Sequence, residues 1–182
     1  MEIQLNRRKH IRLKNYDYAL PGLYYVTICT FERICLFGNI VNGEMQLNDY
    51  GQIVHDEWLK TEKLRPNVKL DEFVVMPNHI HGIIVINSNS HVGATRRVAP
   101  TLGNRINGPT SGSIGAIIGQ FKSTVTKRIN KLHTMPNGHI WQRNYYEHII
   151  RNDWDWHRIK RYIGNNIQNW ENDKNHVLGE IL

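Results

Sequence analysis

Two short stretches of this chain carry side chains suited to phosphate chemistry. One is His79-Ile80-His81, directly after Pro77-Asn78; the other, far along the chain, is Tyr162-Ile163-Gly164-Asn165-Asn166. In an extended strand the side chains alternate, so His79 and His81 point to one side, their Cα atoms about 7 Å apart. Two imidazoles on one face can converge on a single divalent cation. Two ligands are too few for a structural zinc site, which takes four, whereas an incomplete shell with room for a phosphate oxygen suits a catalytic ion. Spacing alone also allows two polar side chains at a strand start with local hydrogen bonds.

On a helical wheel over residues 156–170, Trp156, Ile159, Ile163, Ile167 and Trp170 fall in one sector of about 80°. Asn166 lies inside the wider apolar sector. Tyr162 lies at its margin, one turn away and about 6 Å along the axis. A tyrosine there ordinarily packs its ring and wets its hydroxyl. Asn166 is more demanding, because asparagine is a poor helix former and on a buried side needs a partner. A cation held by His79 and His81 would supply one, with the amide oxygen as a neutral third ligand. Tyr145 and Tyr146 compete as nucleophiles. Adjacent in a strand, they face opposite ways, and Tyr146 shares its face with His148.

These residues need elements to position them. Residues 24–31 are aromatic and β-branched and read as a strand. A hairpin follows, Leu36 to Val41 returning through Asn42-Gly43 to Met45–Leu47. Tyr50, Ile53, Val54 and Trp58 recur at helical spacing and predict a helix near 50–62. Strands follow at 68–76 and 80–86, the second apolar on both faces, as a covered central strand should be. Ile114, Ile117, Ile118, Phe121, Val125, Ile129 and Leu132 make the stripe of a second helix. A strand at 143–150 precedes a last helix from about Asp153, with Asn152 as its cap and Asp155 in its first turn. The order predicts an α+β, ferredoxin-like (RRM-like) antiparallel sheet, with an additional C-terminal helix that bears Tyr162.

The 182 residues suit a single domain with its own core, 1–182. Within it, 87–113 dissolves into Asn, Ser, Gly, Pro and Thr around Arg96, Arg97 and Arg105, and reads as a flexible insertion. The net charge of +7, from 23 basic and 16 acidic residues, favours a polyanionic partner. Lys122, Arg143, Arg151, Arg158 and Lys160 are candidates for phosphate contacts. Cys29 and Cys35, the two cysteines, indicate no disulfide scaffold. With neither a secretory signal nor a membrane span in the sequence, the expectation is a cytoplasmic protein.

The run Phe73-Val74-Val75-Met76-Pro77-Asn78-His79-Ile80-His81-Gly82 resembles the HUH signature of the IS200/IS605-like single-tyrosine transposases. The segment from Ile140 to Arg151, followed by Tyr162-Ile163-Gly164-Asn165-Asn166, is similar to their REP-associated branch, and the likeness spans about 20–170. One departure is Asn166-Ile167, where that branch usually has Asn-Pro. The resemblance implies His79, His81 and Asn166 as metal ligands, Tyr162 as the nucleophile and a ferredoxin-like sheet. It also implies single-stranded DNA as the partner, with a hairpin-forming repeat, and a protein that works as a monomer or a homodimer. The implied reaction is transesterification through a 5′-phosphotyrosine, with Mg2+ or Mn2+ fitting the oxygen chemistry better than zinc. Two alternatives stand beside it. One is a noncatalytic single-stranded nucleic-acid binder that stacks bases on Tyr24 and Tyr25. The other is a metal-dependent nuclease that uses water.

Overall fold

The computed structural model describes residues 16–88, 109–132 and 139–176. Most of the expected insertion, with its three arginines, lies outside the described residues. Among the described residues, six strands and three α-helices follow in chain order: β1 (Gly22–Cys29), β2 (Gly38–Val41), β3 (Glu44–Leu47), α1 (Asp49–Lys63), β4 (Val68–Met76), β5 (His79–Ile86), α2 (Ile114–Leu132), β6 (Tyr146–Ile150) and α3 (Asp153–Gly164). β2 and β3 form a separate hairpin, turning at Asn42-Gly43, where both residues have positive φ (54° and 78°). The other four strands make one sheet in the order β4-β5-β1-β6, every pairing antiparallel. The architecture is α+β and ferredoxin-like, and α3 is the additional C-terminal helix.

The pleat sorts the sheet into two unlike faces. Ile80, Ile84 and Ile86 of β5 join Tyr24, Val26 and Ile28 of β1 in the main core, under α1 and α2. α1 starts at Asn48, whose side-chain oxygen accepts from the backbone N–H groups of Tyr50 and Gly51, and it buries Ile53, Val54 and Trp58. α2 buries the predicted stripe except Leu132, its last residue, which is exposed. Between the two helices, the buried Glu57 accepts from Lys60 Nζ and Arg128 Nη1, both at 2.7 Å. That leaves Arg128 committed to the fold.

The opposite face carries the smaller cluster. α3 lays Ile159 and Ile163 against Tyr25, Ile83 and Ile150, each isoleucine contributing about 1.5–3 kcal/mol of burial. The Asn152 side chain caps α3 by accepting from Asp155 N–H. A one-residue bulge in β4 between Leu70 and Phe73 brings Asp71 within reach of this helix. Its carboxylate accepts from Trp156 Nε1 at 2.6 Å and Lys160 Nζ at 2.7 Å. The wheel over 156–170 assumed one helix, but α3 ends at Gly164 and turns run through 165–169. Gly164, Asn165 and Asn166 are weak helix formers, so the chain breaks there and Trp170 sits in a separate 3-10 turn.

Gly82 of β5 faces the Trp58 ring at close range. A Cβ there would stand 2.4 Å from Trp58 Cζ2 and 3.2 Å from Phe73 Cβ. Gly82→Ala must push the fully buried Trp58 out of place. The expected loss is about 1–3 kcal/mol, read as a lower denaturant midpoint at unchanged m-value.

Candidate functional site

β4 and β5 are joined by a buried turn, Pro77-Asn78, and this turn sets the orientation of the first histidine. Asn78 Nδ2 donates to the carbonyls of Arg33 (2.9 Å) and Asn175 (2.8 Å). Its Oδ1 therefore faces His79 Nδ1, at 2.7 Å. An amide oxygen only accepts, so His79 carries its proton on Nδ1 and turns an unprotonated Nε2 outward. His81 is set from the neighbouring strand. Its Nδ1 lies 2.8 Å from the Tyr25 hydroxyl and 2.9 Å from Thr27 Oγ1. Thr27 is its direct partner across the β1–β5 pairing.

The two Nε2 atoms face one another at 2.9 Å, and both rings are fully buried. Around them stand three groups from the end of α3 and the segment beyond it. Tyr162 Oη is 3.3 Å from His81 Nε2 and donates to Asp173 Oδ2 at 3.1 Å. Asn166 Nδ2 donates to the same oxygen at 3.2 Å. Asn166 Oδ1 is buried without a hydrogen-bond partner. One donor atom each of His79, His81 and Asp173 lie within 4.8 Å of one another. The cluster is suited to hold a divalent cation: two neutral imidazole nitrogens, one carboxylate and one orphaned amide oxygen at hand.

Burial fixes the protonation states. It holds His79 down at about 4, against the opposing charge of Asp173 and the approach of Asn166. Burial, then the neighbouring His79, then Lys174 keep His81 well below its ordinary value. Both imidazoles are neutral at neutral pH. Burial, followed by the charge of Asp173, pushes Tyr162 up to about 12, so its hydroxyl is protonated at neutral pH.

The four residues that the resemblance implied for the site, His79, His81, Asn166 and Tyr162, lie in this one cluster, whereas Tyr146 stands two strands from His81 and Tyr145 packs against the main core. Tyr162 approaches the histidines of its own chain. Asn166 stands in the turn past α3 rather than on the helix, yet it meets Tyr162 at a shared oxygen. That oxygen belongs to Asp173, which no spacing signalled: it is an acid in a polar tail, brought in by a chain reversal. Tyr25, Thr27 and Asn78 were equally invisible until strand register and turn geometry were known.

Other expectations are corrected. Tyr24 and Tyr25 are buried, at 0% and 7% exposure, and offer no base-stacking platform. Lys122 donates to the carbonyls of Gln142 (2.7 Å) and Asn144 (3.1 Å) and is spent on the approach to β6 rather than on phosphate. Lys160 is held by Asp71, whereas Arg158 pairs with Asp155 and keeps about half of its side chain exposed. His148 bonds Asp155, at 2.6 Å, instead of activating Tyr146.

No protein-family model matches the chain. A protein of Haemophilus influenzae, described as an uncharacterized protein, is 42% identical over 181 residues, 95% of each chain. The chain belongs to the same family as this Haemophilus protein. Among solved structures, that of a REP-associated tyrosine transposase bound to a REP hairpin matches with a TM-score of 0.58 at 19% identity, over 87% of this chain and 73% of that one. The likeness establishes a shared fold. Among the described residues, no helix is long and apolar enough to cross a membrane.

Two outcomes follow from the geometry. Because the folded state depresses both histidines, the unfolded chain binds more protons between pH 6.5 and about 4. Metal-free protein should lose stability as pH falls through that window, and His81→Gln should flatten the trend in thermal melts. Asn78→Ala removes the group that orients His79. Mn2+ affinity by calorimetry should drop roughly 10- to 100-fold.

Proposed function

We propose that this protein is a metal-dependent single-stranded DNA endonuclease and strand transferase that works through a 5′-phosphotyrosine at hairpin-containing sites. The observation that carries the reading is the position of Tyr162, its hydroxyl 3.3 Å from one of two inward-facing histidines. His79, His81 and Asn166 would hold the ion, with Asp173 in reach as a further oxygen donor. When bound, Mg2+ or Mn2+ supplies Lewis-acid polarisation of a nonbridging phosphate oxygen.

The chain's own residues do the rest. Asn78, Tyr25 and Thr27 keep the imidazoles in the ligand orientation. Asp71 and the Ile159–Ile163 contacts fix α3, so the Tyr162 oxygen is held rather than searching. Its proton leaves along the hydrogen bond to Asp173 Oδ2 as the Tyr162 oxygen bonds phosphorus. The P–O3′ bond breaks, and the departing oxygen takes up a proton to become a free 3′-hydroxyl. Reversal with a different 3′-hydroxyl rejoins the strand, so neither water nor a nucleotide cofactor is consumed. The basic net charge supports a polyanionic substrate. The hairpin bound by the REP-associated transposase of the same fold supports DNA of that shape as the partner. The identification with the REP-associated branch and a cytoplasmic location are part of this proposal.

The test is incubation with hairpin-bearing single-stranded DNA and Mn2+, followed by denaturing electrophoresis. Wild type is expected to give a protein–DNA adduct and Tyr162→Phe none. An undiminished adduct would move the nucleophile to Tyr145 or Tyr146. Cleavage without any adduct would replace the mechanism with hydrolysis by water.

A further inference from the structure

The face of the sheet that carries the histidines is covered unevenly. α3 seals it over Tyr25, Ile83 and Ile150. Beside Tyr162, between α3, β6 and the segment that follows the helix, a cavity of about 700 Å³ opens, with Tyr146, Arg158, Arg161 and Lys174 in its lining. That is within the usual size of a small-molecule site.

Tyr146 is the unusual wall. It pairs with Thr27, which pairs in turn with His81, so the three stand in one row across adjacent strands. Two strand spacings separate Tyr146 from His81, about 10 Å. The residue is 43% exposed, although it lies on a covered face of the sheet. Tyr25 meets it at 6.1 Å with the rings 67° apart, and Lys174 Nζ lies 5.8 Å from its centroid. The ring is thus held in place, with Lys174 over it, while close to half of the residue stays exposed.

The charge around it is arranged likewise. Asp155 accepts from Arg158 at 2.6 Å on one oxygen and engages His148 at 2.6 Å on the other, which pins the guanidinium at the rim. Asp173 also lines the cavity, but its Oδ2 is turned to Tyr162 and Asn166. Three cations, Arg158, Arg161 and Lys174, therefore share the cavity with a part-exposed aromatic ring beside the tyrosine hydroxyl. Cations alone would suit a bare phosphate. The held, exposed ring adds the surface that a nucleobase needs.

We propose that this cavity is a nucleotide subsite, in which one base of the single strand next to the scissile phosphate stacks on Tyr146 while Arg158, Arg161 and Lys174 face the sugar–phosphate chain. The assignment of that base as the neighbour of the scissile phosphate rests on Tyr162 being the nucleophile. The stacking itself is measurable without any chemistry.

The experiment measures binding in EDTA by fluorescence anisotropy, using a labelled thymidylate 12-mer and an abasic 12-mer of equal charge. Wild type is expected to prefer the thymidylate. Tyr146→Leu should weaken thymidylate binding by about 5- to 150-fold and leave the abasic strand unchanged, and Tyr146→Phe should restore the preference. Equal binding of the two strands by wild type, no binding of either, or equal losses on both in Tyr146→Leu would overturn the subsite. The adduct assay on Tyr162 separates the two ideas. An adduct without base preference sinks the subsite alone, and base preference without an adduct sinks the covalent mechanism alone.

Discussion

The antiparallel pairing of β5 with β1 is the constraint from which the site follows. One register sets Thr27 opposite His81 and Cys29 opposite His79. Because side chains alternate, the same pairing sends Ile80 and Ile84 into the core beneath α1 and α2. A slip of one residue would put isoleucines among the histidines and imidazoles in the core, each error costly in a buried strand. The strand is therefore held in register by its apolar residues, and the histidines inherit that precision.

The second support is the segment after α3. Gly164, Asn165 and Asn166 break the helix, and the chain returns over His79, with Trp170 6.0 Å from the imidazole ring. Asn175 then closes on Asn78 through a backbone carbonyl, which ties the returning segment to the turn that precedes the histidines. This reversal excludes water from both rings and delivers Asp173. Its carboxylate draws Tyr162 and Asn166 toward a common oxygen. Burial keeps the imidazoles neutral, and a neutral imidazole is the form that ligates a metal.

Charge in this protein is divided between architecture and the open site. Lys122, Arg128 and Lys160 are consumed by carbonyls or carboxylates that hold helices and loops in place. In sequence these residues look like any other members of a basic chain. Near Tyr162, Arg158 is also paired, but its partner Asp155 leaves the guanidinium half-exposed at the cavity rim. Ion pairs on a half-exposed surface add little stability, so their value there is positional.

Local pattern determined much of this protein by itself. The alternation in 80–86, the stripe from Ile114 to Ile129 and the caps at Asn48 and Asn152 are written in short windows, because strand and helix periods are properties of the local backbone. The ferredoxin-like order followed from those elements, while His79, His81, Asn166 and Tyr162 stood out as site candidates by spacing and through the family resemblance. The place where the last helix stops was misread, since apolar spacing continued past three weak helix formers. Only the tertiary structure decided that Asp173 joins the cluster, that Asn78 sets one imidazole and Tyr25 with Thr27 the other, and that the Tyr162 hydroxyl lies beside His81. These are contacts between residues distant in sequence. They depend on register, on a bulge at Asp71 and on a chain reversal, and no periodicity encodes any of the three.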